Sequence, residues 1–150
     1  MIELRSIVKR YGDLVVLDDI SLDIPAQKIT SFIGPNGAGK STLLSVISRL
    51  IKMDEGEVYI DGKELRQWKN ADLSRKISIL RQTNTIRLRL TIRELVSFGR
   101  FPYSQGKLTK QDWKAVDQAL DYMKLTDIQD KYLHQLSGGQ RQRAYIAMVI

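Results

Sequence analysis

One stretch of the chain has the residue types and the spacing of a phosphate-binding loop. Residues 34–42 match the pattern G-x-x-x-x-G-K-[ST] at every specified position. The glycines at positions 34, 37 and 39 permit backbone conformations that turn successive N–H groups inward around phosphate oxygens. The stretch therefore predicts a nucleotide site, and its binding residues are Gly34, Pro35, Asn36, Gly37, Ala38, Gly39, Lys40, Ser41 and Thr42.

Two side chains of this loop have a predicted chemical role. Lys40 is predicted to be catalytic, because its compact charge reaches the β- and γ-phosphates, and the Ser41 hydroxyl is predicted to bind the bridging Mg²⁺. The expected ligand is therefore a Mg²⁺-nucleotide. The alternative is a glycine-rich turn that only joins a strand to a helix. The loop alone does not distinguish transfer, hydrolysis or simple binding of the phosphate.

The segments around the loop have the pattern that positions it. Apolar residues 29–33 predict a buried strand before the loop, and residues 43–47 continue a helix that starts near Gly39. Elsewhere the alternation of apolar and polar residues predicts an antiparallel opening region, and Asp61-Gly62 predicts a hairpin turn. The other predicted elements are strands at residues 2–8, 14–17, 20–24, 58–60 and 77–80 and a short helix at residues 72–76.

Two polar or aromatic residues near predicted strand ends are candidate site residues. Tyr11 lies beside a glycine turn and offers a stacking surface for a purine, although a structural turn aromatic is the alternative. Gln82 follows the predicted strand 77–80, where ligands bind in open α/β sheets, although a solvated loop residue is the alternative. The residues alone favour the structural alternative for both.

The second half of the chain has a helical pattern with recognisable starts and stops. Thr91 and Thr109 each precede an acidic residue by three positions, which predicts a capping box. Gly99 is predicted to stop the first helix, and an exposed aromatic loop at residues 100–106 is predicted to follow. In the longer second helix Val116, Leu120 and Met123 recur at helical spacing and are predicted to pack against the rest of the chain.

A second motif at residues 136–140 has the sequence Leu-Ser-Gly-Gly-Gln. Ser137 is a favourable helix N-cap, and Gly138 and Gly139 leave backbone N–H groups at the helix start open to an anion. The motif therefore predicts a second phosphate site, which also includes Gln140. The alternative, an ordinary capped helix with a glycine entry, is favoured for this motif in isolation and disfavoured by its occurrence together with the phosphate loop.

Composition limits the remaining classes. The 150 residues are 43% hydrophobic and 27% charged, which is typical of one globular domain or part of one. The chain has no cysteine and a single histidine, His134, which excludes a disulfide framework and a histidine-rich metal site. We expect a cytoplasmic, soluble chain, because no leader or membrane-spanning run is evident. The net charge of +7 permits a nucleic-acid partner, but none is expected, since no arginine-rich tract is interleaved with aromatics.

The two motifs together resemble those of the ATP-binding subunits of ABC transporters. The resemblance makes residues 34–42 the Walker A loop and residues 136–140 the signature. It gives Tyr11 the role of stacking on adenine and Gln82 that of sensing Mg²⁺ and the attacking water, as a catalytic and metal-binding residue. In such proteins the signature residues contact ATP bound to a second subunit, which implies a head-to-tail dimer with two ATP molecules between the subunits.

The resemblance implies the fold class and the domain organisation. The expected fold is an α/β P-loop NTPase of the ABC-ATPase type, with an antiparallel β subdomain, a partial parallel-sheet core and an α-helical subdomain. Residues 1–82 and 133–150 would form the core and β subdomain, and residues 83–132 the helical subdomain. The fold is expected to be incomplete at the C-terminus. The family's Walker B strand, with its Mg²⁺-binding Asp and catalytic Glu, is not found in these residues. The switch histidine is not found either, since the single histidine, His134, precedes the signature.

Residues 95–103 resemble the ATPases of iron–siderophore, haem and cobalamin importers, and the string through residues 103–106 most resembles the iron–siderophore branch. The expected function is to energise import of an iron–siderophore complex by ATP binding and hydrolysis, at the cytoplasmic face of the cell membrane. The expected partners are a second ATP-binding subunit, permease subunits that dock near the basic residues Arg81, Arg87, Arg89 and Arg93, and indirectly a substrate-binding protein. These 150 residues alone are expected to be inactive. The alternatives are a soluble ATPase acting on nucleic acid or ribosomes, and a non-hydrolysing fragment.

Overall fold

The computed structural model describes residues 1–80 and 89–150. The chain divides into two compact units, Met1–Asn70 and Ala71–Ile150. Each unit has its own buried apolar core. Gln82, Arg81 and Arg87 lie outside the described residues. The predicted division into residues 1–82 with 133–150, and 83–132, stays a prediction.

The first unit is built on an antiparallel sheet, as the opening pattern predicted. Its strands lie in the spatial order β2-β1-β3-β4, and every neighbouring pair is antiparallel. The strands are β1 (Ile2–Tyr11), β2 (Leu14–Ile24), β3 (Glu55–Ile60) and β4 (Lys63–Glu64).

Turn chemistry fixes the hairpin between β3 and β4. Asp61 and Gly62 both have positive φ, at 49° and 76°, which is what a two-residue hairpin turn between β3 and β4 requires. The predicted turn is therefore confirmed. The predicted break of β2 between residues 17 and 20 is wrong, because both segments pair with β1 and the chain adjusts by register shifts instead of by a turn.

Helix α1 (Lys40–Ile47) begins directly after the phosphate loop and packs against β2. Its buried residues are Leu43, Val46 and Ile47, which is the helical spacing of an apolar face. They share the interior of the unit with apolar side chains of the sheet. The sheet and its connections contribute the buried residues Leu4, Ile7, Val8, Leu17, Met53, Val58, Ile60 and Leu65.

The two strands expected to form a parallel core are not formed. Residues 29–33 and 77–80 have no regular structure, and Ile29 and Ile33 are 99% and 95% exposed. A central parallel strand takes its backbone hydrogen bonds from neighbours on both sides. Among the described residues the paired strands are those of the antiparallel sheet, so neither segment has a ladder to join.

The second unit is helical. It is held together by a core of Ile92, Leu95, Val96, Val116, Leu120, Leu125, Leu133, Leu136, Ala144, Tyr145 and Ala147. Single-turn 3₁₀ helices connect its helices. The helices after the sheet are α2 (Asn70–Ser74), which begins at the boundary between the units, α3 (Ile92–Ser97), α4 (Phe101–Ser104), α5 (Lys110–Tyr122) and α6 (Gly138–Val149). In the described part of the chain no helix is long and apolar enough to cross a bilayer.

Capping boxes set where the main helices of this unit begin, as predicted. Thr91 caps α3 and Thr109 caps α5, each with a reciprocal bond from the acidic residue three positions later. In α5 the Thr109 hydroxyl and N–H donate to Asp112 Oδ2 at 2.7 and 3.0 Å. Arg100 donates to the other carboxylate oxygen at 3.0 Å. These bonds lower the pKa of Asp112, mainly through Thr109.

The prediction that Gly99 stops α3 is wrong. The chain continues through the 3₁₀ turn Phe98–Arg100 into α4, so the predicted loop 100–106 is partly helical. A Cβ on Gly99 would overlap the carbonyl oxygen of Met148 in α6. Glycine at this position therefore permits two helical segments to pack backbone to backbone, which a local pattern does not reveal.

Replacing Asp112 by Asn is expected to destabilise the protein at neutral pH, because the neutral amide is a weaker acceptor for Thr109 and Arg100. The folded pKa of Asp112 is lowered, so its contribution is fully present above the unfolded value of 3.8 and is lost as pH falls through the folded value. The difference in free energy of unfolding between parent and variant should therefore shrink below about pH 4. Urea titrations at several pH values measure it. Asp121→Asn, which removes an exposed carboxylate near the end of α5, is the control, and the same pH dependence in both variants would contradict the assignment.

Replacing Gly99 by Ala is expected to lower the free energy of unfolding by about 1–3 kcal/mol, the usual cost of overpacking a close contact. The matched control is Gly138→Ala, where a Cβ meets no atom within 4 Å and φ is not positive. That control should be neutral or slightly stabilising, since alanine is the better helix former. Chemical denaturation of both variants compares them, and equal stability would show that α6 does not hold Gly99 in this contact.

Candidate functional site

The phosphate loop has the backbone geometry that its sequence predicts at two of three glycines. Gly37 and Gly39 have φ of 83° and 80°, in the left-handed region. Between them the N–H of Ala38 donates to the carbonyl of Pro35 at 3.3 Å and closes a turn. Gly34 adopts no such φ, and a Cβ there would make only an ordinary contact, so its predicted need for glycine is not supported.

Gly39 sets the loop against the sheet. A Cβ at this position would lie 2.8 Å from the carbonyl oxygen of Val16 and 2.9 Å from Cδ2 of Leu17, both in β2. Backbone strain and close approach therefore both require glycine. The residue is also the N-cap of α1 and makes no side-chain cap. The loop is consequently held where α1 begins, with the helix end not covered by a capping side chain.

The start of α1 is suited to an anion. The first N–H groups of a helix have no acceptor within the helix, and the macrodipole adds partial positive charge there. No acidic residue lies in the first turn of α1, and Ser41 is exposed. Lys40 Nζ donates to the carbonyl oxygens of Gly34 and Pro35 at 2.8 and 2.6 Å. Neutral carbonyls hold the ammonium at the loop without cancelling its charge, so the loop combines N–H donors with a cation.

The metal chemistry available to this site is limited. Within residues 1–80 and 89–150 no group of three or more His, Cys, Asp or Glu side chains is placed to hold a metal ion. The exposed hydroxyl of Ser41 remains as a hard oxygen donor at the start of α1. Mg²⁺ keeps several waters and often takes substrate phosphates with one or two protein ligands, so the donor set fits that ion.

Tyr11 lies at the hairpin of the strand pair that carries the loop. It ends β1, its side chain is 52% exposed, and Gly12 turns the chain with φ of 59°. Two residues earlier, Lys9 pairs with Leu17, the residue against which Gly39 is seated. Strand register thus relates the aromatic ring to the end of the phosphate loop. The exposed ring offers a flat apolar surface on that hairpin.

Sequence reasoning missed a residue beside this ring. Lys9 Nζ lies 5.4 Å from the centroid of Tyr11 and forms an ion pair of 3.0 Å with Asp54. The signal available in the sequence was the spacing of two residues within a strand, which places Lys9 and Tyr11 on one face. Asp54 could not be found in this way, because it reaches Lys9 from a distant part of the chain.

The second motif forms the start of α6 in the other unit. The hydroxyl of Ser137 accepts from the N–H of Gln140 at 3.2 Å, and Gln140 Oε1 accepts from the N–H of Ser137 at 3.0 Å. The predicted N-cap is therefore confirmed as a full capping box. Leu136, just before it, is buried in the helical core, which fixes the position of the motif.

No described residue of the chain requires glycine at the two glycine positions of this motif. Gly138 and Gly139 are exposed, neither has positive φ, and a Cβ on either would meet no atom within 4 Å. Their N–H groups lie in the first turn of the helix, where no intrahelical acceptor exists. The chain thus presents a smooth, N–H-rich surface at the start of α6.

The basic residues expected near a permease are only partly described. Arg93 pairs with Asp117 at 2.6 Å and donates to Gln129 at 2.6 Å, and its guanidinium lies 5.0 Å from the ring of Trp113. Arg89 lies 4.5 Å from the ring of Tyr132. Both are therefore engaged within the helical unit.

Comparison with known proteins gives consistent matches over the chain. A family model described as "ABC transporter" matches residues 17–150. The petrobactin import ATP-binding protein YclP of Bacillus subtilis is 65% identical over 150 residues, which is 100% of this chain and 60% of YclP. The ferric enterobactin transport ATP-binding protein FepC of Escherichia coli is 39% identical over 142 residues, 93% of this chain and 52% of FepC.

Solved structures give the same result for the fold. MJ1267, an ATP-binding cassette of an ABC transporter, matches with a TM-score of 0.84 and 29% identity over 99% of this chain and 63% of its own. The dimeric structure of MJ0796, a bacterial ABC transporter cassette, matches with a TM-score of 0.80 and 34% identity over 100% of this chain and 69% of its own. The chain thus spans 60% of the length of YclP and has the fold of ATP-binding cassettes over that span. It belongs to the ABC transporter family, through the ATP-binding cassette part of that family.

Proposed function

We propose that this chain is the nucleotide-binding part of a subunit that energises import of an iron–siderophore complex through an ABC transporter. The observation that carries the proposal is a phosphate loop built on Gly37, Gly39 and the open start of α1. Its support is the 65% identity to a petrobactin import ATP-binding protein. A siderophore of the petrobactin class is therefore the first cargo to test.

The residues of the first unit would bind one Mg²⁺-ATP. The N–H groups of the loop and of the first turn of α1 would surround the β- and γ-phosphates, and Lys40 would exchange its two carbonyl partners for phosphate oxygens. The Ser41 hydroxyl would bind Mg²⁺, which supplies charge neutralisation between the phosphates when it is bound. Tyr11 would stack on the adenine, and Gln82 would orient the attacking water and contact Mg²⁺.

In hydrolysis the chain's part would be positional and electrostatic. Charge develops on the oxygens of the transferred phosphoryl group, and fixed N–H donors with a lysine stabilise it most when they are held in place beforehand. The close contact of Gly39 with β2 and the hydrogen bond from Lys40 to the carbonyl of Gly34 hold these groups at the loop before a nucleotide binds. The family resemblance assigns the catalytic Glu to a segment outside these 150 residues, so we expect them to turn ATP over negligibly on their own.

The signature would act on a nucleotide held by a second copy of the subunit. Ser137, Gly138, Gly139 and Gln140 would approach the γ-phosphate of the partner's ATP, and two such contacts would close a head-to-tail dimer. The open first turn of α6, where no described residue of the unit requires glycine, supports this role. So does the similarity to a cassette solved as a dimer. Permease subunits, and through them a substrate-binding protein, would complete the importer at the cytoplasmic face of the membrane.

The alternative of a soluble ATPase acting on nucleic acid or ribosomes is not favoured. The relatives named above are import or transport proteins, and they match along almost the whole of this chain. A non-hydrolysing fragment remains a prediction for the isolated 150 residues only.

Replacing Lys40 by Ala in the full-length subunit, assembled with its permease, is expected to lower ATP turnover about 100-fold or more, the usual effect of removing one preorganised charge-stabilising donor. Phosphate release from Mg²⁺-ATP measures it. Lys52→Ala, which removes an exposed lysine of the same unit, is the matched control and should leave turnover unchanged. Normal turnover in Lys40→Ala would remove the phosphate loop from the reaction.

Replacing Ser137 by Arg in the full-length subunit is expected to abolish ATP-driven dimerisation and to leave nucleotide binding by the monomer unchanged. The reason is that the larger cation occupies the surface where the partner's phosphates would approach. Sedimentation with ATP, together with a separate measurement of nucleotide affinity, distinguishes the two effects. Gln111→Arg, on the exposed first turn of α5, adds the same charge away from the motif and should still dimerise. An intact dimer in Ser137→Arg would defeat the assignment.

A further inference from the structure

We infer that Lys9, held in place by Asp54, is a positioning residue that orients the Tyr11 ring and leaves one of its faces for a purine. The inference rests on the proposed function, since it assigns a support to the stacking residue of that site. It is carried by a fixed arrangement of a carboxylate, an ammonium and a ring within the antiparallel unit.

Asp54 is tied to β1 by three bonds. Its backbone N–H donates to the carbonyl of Val8 at 3.0 Å. Its Oδ2 accepts from the N–H of Arg10 at 2.6 Å, and its Oδ1 accepts from Lys9 Nζ at 3.0 Å. The bond from Arg10 and then that from Lys9 lower the pKa of Asp54, so the carboxylate is ionised at neutral pH. The acceptor that holds Lys9 is therefore itself immobile.

Lys9 is ordered more than a surface lysine usually is. Its side chain is only 14% exposed, whereas lysines commonly keep their heads in water and retain large rotamer freedom. Its Nζ lies 3.0 Å from Asp54 Oδ1 and 5.4 Å from the centroid of the Tyr11 ring. This loss of freedom is offset by the ion pair and by the contact with Tyr11, so the lysine is a fixed part of the hairpin.

The ammonium then determines how the ring is presented. Lys9 Nζ lies 5.4 Å from the centroid of Tyr11, within the range of a cation–π contact, and both residues lie on the same face of β1. One side of the ring is thus held by a cation, while about half of the side chain remains exposed. A ring that is already oriented loses less freedom when a base stacks on it, which strengthens binding.

The location of this cluster connects it with the phosphate loop. Lys9 pairs across the strands with Leu17. The side chain of Leu17 packs so close to Gly39, at the end of the loop, that a Cβ there would lie 2.9 Å from its Cδ2. The oriented ring therefore belongs to the strand pair on which the loop is seated. A nucleoside triphosphate bound by the loop is the ligand that would use both features at once.

The test compares ATP with inorganic tripolyphosphate, each with Mg²⁺, on the full-length subunit. Lys9→Met keeps the length of the side chain and removes the charge. It should weaken ATP binding about two- to tenfold, the range expected when one more side chain must be ordered on binding, and should leave tripolyphosphate affinity unchanged. Lys9→Arg should restore ATP affinity. The matched control is Lys63→Met, which removes a lysine 4.8 Å from the ring of Trp68 in the same unit and should change neither affinity.

A double-mutant cycle separates positioning of the ring from general structural support. Tyr11→Ala alone should weaken ATP and spare tripolyphosphate, and adding Lys9→Met to it should have no further effect, because the ring through which Lys9 acts is gone. Three results would each overturn the inference. They are a loss of ATP affinity in the double variant equal to the product of the two single losses, an equal loss of affinity for ATP and tripolyphosphate in Lys9→Met, and an unchanged ATP affinity in Lys9→Met. If Lys9→Met does not fold, Asp54→Asn supplies the same comparison through loss of the carboxylate.

Failure of this inference is distinguishable from failure of the proposed function. ATP binding by the parent that is weakened by Tyr11→Ala but not by Lys9→Met would overturn the role of Lys9 alone. A parent that binds tripolyphosphate and ATP equally, with Tyr11→Ala silent, would overturn the stacking role of Tyr11 and this inference with it. A parent that binds neither ligand would overturn the proposed nucleotide site.

Discussion

The seat of Gly39 on β2 is the contact on which the nucleotide site depends. A single Cβ at this position would meet a backbone carbonyl at 2.8 Å, so the loop and the sheet lie too close together for any side chain at residue 39. That contact fixes the first residue of α1, and with it the lysine and the serine that follow. The position of the proposed phosphate site therefore depends on how the antiparallel sheet is folded.

The two candidate phosphate sites use helix starts in different ways. At α1 the N-cap is glycine and no side chain occupies the helix end, so several N–H groups are available to one ligand. At α6 the N-cap is Ser137, which already satisfies the N–H of Gln140 and leaves only the first two N–H groups to an approaching anion. The first arrangement suits a tightly held ligand, and the second suits a contact that is made and released.

The sequence predicted features that depend on neighbours along the chain. The phosphate loop, the capping boxes at Thr91 and Thr109, the N-cap at Ser137 and the Asp61-Gly62 turn are each determined by a few adjacent residues, and all were predicted. Contacts between distant residues were not predictable in this way. The close contact of Gly99 with α6 and the ion pair between Asp54 and Lys9 depend on tertiary packing. The prediction of a strand at residues 29–33 was wrong for the same reason, because an apolar pattern makes a strand only where a partner strand lies beside it.

Four glycines of the chain fall into two groups, according to whether an added Cβ would overlap other atoms of the chain. The group without such an overlap marks a surface that an outside molecule can approach. Gly39 and Gly99 are required by atoms of the chain itself, since a Cβ on either would meet a backbone carbonyl. Gly138 and Gly139 meet nothing and have ordinary backbone angles, although glycine costs helix stability at such positions. Because no described contact within the unit offsets this loss of helix stability, glycine at these positions is explained by close approach of a group from outside the unit. Because the exposed groups there are N–H donors at a helix start, the approaching group is best matched by an anion.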